Sequence, residues 1–394
     1  MDPVVQQAYS NCLRGSVRFL TLKRRRGPHD ARPDRPVEDA MALFRRQPSL
    51  LLSALLLLAA APAGAAPALL PVVAYMPETG AIGGAWLQWV TRQDSLDRPD
   101  QLAAWATLCA RGQAELGLRP ELWRAGDRLS LLGELSYQHW PASWHGIGPD
   151  SPSTPVDFTV ERVKLELRLR RRLTGDLWSG VHALGSQESF TKHDPAFAFA
   201  NDDGRDLGLG AEVAWDIRDD TVWPGAGWLA EGRALRHGSW LGGRWDYSRW
   251  QLDLRRYQRH GPGVLAVQAA LEGRGGAPSF RTLPRLGEWL RAVEDMRFQD
   301  RWAAAARLEW RQDLPFTLPT RPGRWLAARS GFVCFVEAGQ VGARGCDLAA
   351  GPWKSSLGLG GRFALLPGER LNARADLAYG VEGVALRIKV GEEF

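Results

Sequence analysis

The sequence predicts an all-β fold: a closed antiparallel transmembrane β-barrel of about sixteen strands, preceded by an N-terminal signal peptide. Three observations predict it. From about Leu70 onward, segments of ~9–11 residues alternate apolar and polar side chains. Many of the eighteen Trp lie near segment ends, where an interfacial girdle would sit. The connections between segments alternate long and short, the rhythm of barrels with loops on one side of a membrane and tight turns on the other.

The chain opens with residues 1–40, read as a mis-annotated or disordered leader. Met41–Ala65 has the three parts of a secretory signal: Arg45 and Arg46, the apolar run Leu50–Ala60, and the small-residue site Ala63-Gly64-Ala65. Cleavage after Ala65 leaves 66–394 as the barrel. Its strands are expected at 70–76, 82–91, 102–110, 113–123, 128–139, 158–171, 177–187, 207–217, 227–236, 245–257, 264–274, 300–312, 331–340, 355–364, 371–379 and 383–392.

The alternation is plainest in three places. Val163, Leu165, Leu167 and Leu169 interleave with Lys164, Glu166, Arg168 and Arg170. Trp302, Ala304, Ala306, Leu308 and Trp310 share one face; Arg301, Arg307, Glu309 and Arg311 share the other. Val384, Leu386, Ile388 and Val390 alternate with Arg387 and Lys389, and Phe394 is expected to cap the final strand as a terminal barrel signal. A soluble sandwich also alternates. Here, however, charges of both signs concentrate on the polar face, and Trp123, Trp140, Trp178, Trp245, Trp302 and Trp310 mark segment ends. Short turns fall near Ala125–Gly126, Thr174–Asp176, His260–Gly263 and Pro367–Glu369. Long loops span Pro141–Pro155, Glu188–Arg205, Gly275–Gln299 and Gln340–Lys354, while the 313–330 connection is long on the short side.

Charge and composition exclude several classes. Ten of the 50 Lys and Arg and five of the 44 Asp and Glu lie in residues 1–65, so the remainder is nearly neutral. Lys23–Arg26 is the one basic run, and no basic stripe follows it, which argues against a nucleic-acid partner. Cys12, Cys109, Cys334 and Cys346 form no metal-binding spacing; Cys334 and Cys346 could pair or be small apolar fillers. No metal or other cofactor is expected. GxSxG, HExxH and P-loop patterns are missing, so no catalytic residues are assigned and the chain is not read as an enzyme. LGLGAE (Leu207–Glu212) is Gly-rich but lies in a strand, where Gly marks bends or close packing. His139, Trp140, Trp144 and His145 cluster near a loop, and the reading weighs a hydrolase site there against an interfacial aromatic group.

The segment LRAVEDMRFQDR (Leu290–Arg301), followed by WAAAARLEWR, resembles the conserved loop of the outer-membrane assembly-factor superfamily of BamA and TamA, also called bacterial surface antigens. Arg291 matches the family's arginine, Ala292 stands where glycine is usual and Val293 where an aromatic is usual; Arg297, Asp300 and Arg301 fit its Arg-Asp-Arg-like end. DIRDDTVWPGAG (Asp216–Gly227), FVEAG (Phe335–Gly339), GLGGRFALLPGERLNARADLAYG (Gly358–Gly380), YMPETG (Tyr75–Gly80) and the terminal Phe394 are similar to further stretches of that family. The resemblance covers about Leu70–Phe394 and matches a barrel-only branch without the soluble modules called POTRA domains. It implies that the loop folds back into the barrel, so that Arg291 docks on the inward residues Glu309, Phe335 and Glu337. It further implies an outer-membrane location, lipid as surroundings, a separate periplasmic partner or client protein, and a role in inserting or translocating proteins or lipids. The alternative is a passive channel or structural surface antigen.

Overall fold

Period-two alternation gives each strand an apolar face and a polar face, and closing the sheet leaves no exposed backbone edge. In the computed structural model, residues 68–394 are described apart from 77, 92–99, 200–201, 222, 315–319, 321–329, 367–370 and 391. The leader, the signal segment, most of the 313–330 connection and the Pro367–Glu369 turn lie outside the described residues.

Sixteen strands form one closed antiparallel barrel in chain order. The first eight are β1 (Ala68–Met76), β2 (Gly80–Thr91), β3 (Asp100–Cys109), β4 (Ala114–Arg124), β5 (Leu129–Trp144), β6 (Val156–Thr174), β7 (Leu177–His193) and β8 (Gly204–Asp216). The rest are β9 (Gly227–His237), β10 (Tyr247–His260), β11 (Gly263–Gly276), β12 (Trp302–Asp313), β13 (Ser330–Gly342), β14 (Lys354–Leu366), β15 (Leu371–Gly380) and β16 (Gly383–Val390). Among the described residues no helix is long and apolar enough to cross a membrane.

The faces follow sequence parity. Leu165, Leu167 and Leu169 of β6 point outward, as do Leu308 of β12 and Val384 and Ile388 of β16. Arg307, Glu309 and Arg311 of β12 and Arg387 of β16 are buried in the lumen. Closure brings β1 against β16 at the register Tyr75↔Ile388. Tyr75↔Ile388 is the register pair recorded for that seam among the described residues, while β15 and β16 pair from Ala373↔Val390 to Gly380↔Gly383.

One end of the barrel carries tight turns and the other carries a packed cap. β5, β6 and β7 are the longest strands and run past their neighbours into that cap. There Phe158, Val160, Phe197, Phe280, Leu283 and Met296 form an apolar core, with Trp144, Phe190 and Phe199 packed on it. Adjacent rings meet face-on or edge-on, Phe199 and Phe280 at 4.4 Å between centroids. Aromatic area of this kind supplies the burial that loops otherwise lack.

Three expectations need correction, and one open reading is settled. The strands β5, β6 and β7 extend well beyond 139, 158–171 and 187, because cap packing continues the alternation past the apolar band. The Trp girdle is partial: Trp302 stacks outside on Trp250, and Trp310 also shares the outward parity. Trp123 is instead buried, meets Trp178 edge-on and donates its indole N–H to Glu121, so both rings line the lumen; Trp140 packs on the cap core and Trp245 is buried. An indole with a polar partner inside satisfies its N–H without an interface. For Cys334 and Cys346, where pairing was one of two open readings, the structure has both free, one in β13 and one in the exposed loop after it. Finally, Phe394 does not cap β16. The strand ends at Val390, and Phe394 is buried against Tyr257, because the two glutamates before it turn inward to arginines.

Candidate functional site

The long segment between β11 and β12, residues 277–301, enters the barrel. Its Leu286, Trp289, Leu290, Val293 and Phe298 pack on Ala270, Ala303, Ala305 and Val341. The upper inward positions of β12 are alanines, and this leaves room for a loop where the lower positions carry Arg307, Glu309 and Arg311. A Cβ at Gly339 would come within 2.8 Å of Leu286 and 3.0 Å of Leu290, so a larger residue there would push the loop out. The two departures from the family-like motif also find places. Ala292 packs with Phe335, Ala378 and Ala385 beside Gly380, and Val293 lies within the apolar cluster under the loop.

These contacts leave Arg291 inside the barrel with 0% exposure. Its guanidinium hydrogen-bonds Glu309 of β12 and forms ion pairs with Glu337 of β13 at 3.1 Å and Asp376 of β15 at 3.4 Å. Its backbone N–H donates to the Glu337 carboxylate at 2.7 Å. The cation stands 3.7 Å from the centre of the Phe335 ring, whose Cζ lies so near Gly358 that a Cβ there would meet it at 2.4 Å. A planar guanidinium can stack and pair at once, which a lysine cannot. The sequence-derived set Arg291, Glu309, Phe335 and Glu337 is therefore brought together.

Four further groups belong to the cluster. Arg374 of β15 donates to Glu309 at 2.6 Å and to Asp376 at 2.8 Å. Arg311 pairs with Glu309 at 2.8 Å. From beyond β16, Glu393 meets Lys389, Arg307 at 3.3 Å, Arg387 at 3.5 Å and Arg291 at 3.7 Å. Glu392 meets Arg362 of β14, Arg374 at 3.2 Å and Arg311 at 3.5 Å. Each buried carboxylate has several cationic neighbours, the condition under which a buried ion network is tolerated.

The rest of the loop motif does other things. Arg297 pairs with Glu382 at 2.8 Å in the β15–β16 turn and donates to Ser151 at 2.7 Å in the β5–β6 loop. Asp300 is buried and accepts from the Arg301 N–H at 2.7 Å; Arg301 itself is exposed. Arg297, Asp300 and Arg301 thus fix the loop's outer end and do not join Arg291.

A second charge cluster lines the opposite wall. Arg168 and Arg170 of β6 pair with Glu231 of β9 at 2.6 and 2.8 Å, and Arg168 reaches Glu212 of β8 at 2.7 Å. Arg233 of β9 pairs with Glu231 at 2.7 Å. Arg168, Arg170, Glu231 and Arg233 border a cavity of about 670 Å³ toward the turn end. Beside it, the DIRDDTVWPGAG loop closes with Asp216 on Arg218 and Asp219 on the Gly225 and Ala226 N–H groups.

The other motifs disperse. His139 pairs with Glu161 at 3.5 Å, Trp144 is in the aromatic core, and His145 faces Glu294 at 3.3 Å, so these residues do not converge on a nucleophile. In LGLGAE, a Cβ on Gly208 would meet the His237 ring at 2.4 Å, so this glycine serves close packing. Among the described residues no group of three His, Cys, Asp or Glu is placed to hold a metal ion.

No family model matches the sequence, and no curated protein matches it. Solved structures do share the fold. BamA from Haemophilus ducreyi lacking POTRA domains 1–3 aligns over 83% of this chain and 69% of its own, at 11% identity and a TM-score of 0.58. CdiB from Acinetobacter baumannii aligns over 82% of this chain, at 12% identity and a TM-score of 0.50, and this chain spans only 59% of its length. The outer membrane protein OprD from Pseudomonas aeruginosa aligns over 83% of this chain and 92% of its own, at 9% identity and a TM-score of 0.36. At these identities the likeness is one of fold: a closed barrel of sixteen strands like those of BamA and CdiB.

Proposed function

We propose that this chain is a bacterial outer-membrane barrel of the assembly-factor type, which inserts or translocates proteins or lipids by way of the β1–β16 seam. The observation that carries the reading is the contrast between that seam and the lumen. Tyr75↔Ile388 is the seam's one recorded register pair among the described residues, while loop 277–301 and its Arg291 network fill the interior beside it. A filled lumen suits lateral exchange through the wall better than free diffusion along the axis. A strand at the closing seam of a barrel wall is also a template for another strand. This reading places the outward apolar residues in lipid, gives the protein a separate periplasmic partner or a client, and assigns it no catalytic step and no cofactor.

The test locks the seam. Cysteines at Tyr75 and Ile388, in a background without the native cysteines, should cross-link without altering heat-modifiable folding. The oxidised protein should then lose its ability to promote insertion of an unfolded barrel client into proteoliposomes, and reduction should restore it. Equal activity in both states would overturn the reading. Bilayer recordings address the passive-channel alternative, which requires a steady conductance from the unlocked protein.

A further inference from the structure

We propose that a second cavity in the lumen, of about 340 Å³, is a binding site for a phosphate group, with Arg249 and Arg274 as its principal ligands. The cavity lies between the cap and the turn-end cavity. It shares Trp140 and Met296 with the first and Arg233 and Glu272 with the second. The register gives it two facing cations. Arg249 of β10 stands directly opposite Arg274 of β11, and both positions alternate inward. Like charges in that position are destabilising, and an anion between them offsets the repulsion. The carboxylate in electrostatic reach of both is Glu272. Its two oxygens are taken: one accepts from Gln251 at 2.7 Å and the other from Arg274 at 2.9 Å. The Arg249 guanidinium has no hydrogen bond or ion pair among the described residues, and its Nε is buried.

The excess of positive charge extends along the cavity. Arg162 of β6 and Arg281 of loop 277–301 share one carboxylate, Glu188 of β7, at 3.1 and 3.0 Å. These four arginines therefore stand against two acids. The other charges of the lining are matched among themselves. Asp206 is held by His237 and Tyr247, Glu166 by His182 and Lys164, Asp295 by Arg285, and Arg233 by Glu231. Glu78 and Glu288 stand at the two ends, where the cavity meets its neighbours. Guanidinium forks from two strands and a loop suit a phosphate, whose oxygens point in several directions, better than a planar carboxylate. Arg274 also donates to the Thr282 carbonyl at 2.8 Å, so the principal pair already touches the loop's stem. A phosphate seated here would tie that stem to the wall. A free phosphate-bearing solute and a lipid headgroup carry the same chemistry, and the test separates them.

The inference stands apart from the seam reading and is tested without a client. Detergent-purified protein is titrated with pyrophosphate, inorganic phosphate and short-chain phosphatidic acid at constant ionic strength, and followed by phosphorus NMR. Binding should saturate, and amide exchange in Ser279–Leu286 should slow as it does. Arg249→Gln breaks no ion pair, so heat-modifiable folding should persist while affinity falls at least about tenfold, the loss expected for a hydrogen bond to a charged group. Arg249→Lys should recover part of that affinity. Arg259→Gln, at the turn end, should leave it unchanged. If Arg249→Gln does not fold, Arg281→Gln, which leaves Glu188 with Arg162, carries the same expectation. Saturation by either inorganic probe identifies a free phosphate as the ligand, and saturation by the lipid alone identifies a headgroup. Absence of saturable binding by all three, or binding that the arginine variants leave untouched, would overturn the inference.

Discussion

The two charge clusters in the lumen are built from the same side chains yet differ in what surrounds them. Around Arg291, the partners Glu309, Glu337, Asp376 and Arg374 are all essentially inaccessible, sealed by loop 277–301 on one side and Glu392–Phe394 on the other. Around Glu231, the arginines keep 15–24% of their side-chain surface and border a cavity. Sealing changes what an ion pair is worth. In the wet cluster a lost partner is replaced by water; in the sealed cluster it leaves a naked charge.

The largest effect should come from breaking the sealed side. Arg291→Ala takes the guanidinium away from Glu337 in the interior, while Glu309 keeps Arg311 and Arg374, and removing one partner of a buried pair costs about 3–5 kcal/mol. Urea unfolding followed by heat-modifiable mobility should register the loss, and loop 277–301 should become sensitive to protease. Arg291→Lys should recover only part of it, since lysine cannot stack on Phe335 while reaching both carboxylates. Stability within about 1 kcal/mol of the native protein would place the two clusters on the same footing.

Next is the outer skin of the same region. Ile388→Arg sets a charge on the outward face beside the seam, at about 2–4 kcal/mol if that face meets hydrocarbon near its midplane. Lys389→Ala, one residue away but inward, leaves Glu393 with Arg307 and Arg387 and should cost clearly less. Folding yield in vesicles compares them directly, and equal yields would undo the facing assignment.

The wet cluster should be forgiving. Arg233→Ala leaves Glu231 paired with both Arg168 and Arg170, so its stability change should stay below about 1 kcal/mol in the same urea assay. A loss comparable to Arg291→Ala would mean that the cavity does not hydrate this wall.

How legible were these regions beforehand? Period two fixed inward and outward faces, so Arg307, Glu309, Arg311, Phe335 and Glu337 could be assigned to the lumen from parity alone. The resemblance of Leu290–Arg301 then supplied the loop's destination, which periodicity cannot. Arg374 and Asp376 were inward by the same parity, but nothing local links them to a loop more than seventy residues earlier. The inward turn of Glu392–Phe394 is not legible for a different reason. The final strand was extended to 392 because alternation runs on through Val390. Yet that parity points Glu392 outward, and two adjacent carboxylates beside Arg387 and Lys389 were the available sign that the chain turns in. Trp123 and Trp178 were misplaced because Trp at a strand end reads alike on either face. Only the parity of Glu121 beside Trp123 distinguished them.

The smallest expected effect lies at the turn end, where loop 217–226 borders the wet side. Asp219 is partly buried, which by itself would raise its pKa, but the N–H groups of Gly225 and Ala226 and the Arg259 guanidinium outweigh that and hold it below the usual aspartate value of 3.8. A carboxyl with a depressed folded value contributes stability that is complete above its unfolded value and is lost as pH falls through the folded one. The loop should therefore keep its closure down to about pH 4 and loosen below it. Because Asp219 keeps about a third of its side chain exposed and Arg259 more, solvent screens the pair, and the change should be only about two- to fivefold in local opening. Hydrogen exchange of the Gly225 and Ala226 amides, corrected for intrinsic pH dependence, reads it. Asp219→Ala at pH 7 should show the same faster exchange that the native protein shows at pH 3, with the Arg291 region unchanged in both. If acid instead loosened loop 277–301 first, the sealed cluster would be the weaker of the two, and the contrast between sealed and wet walls would be reversed.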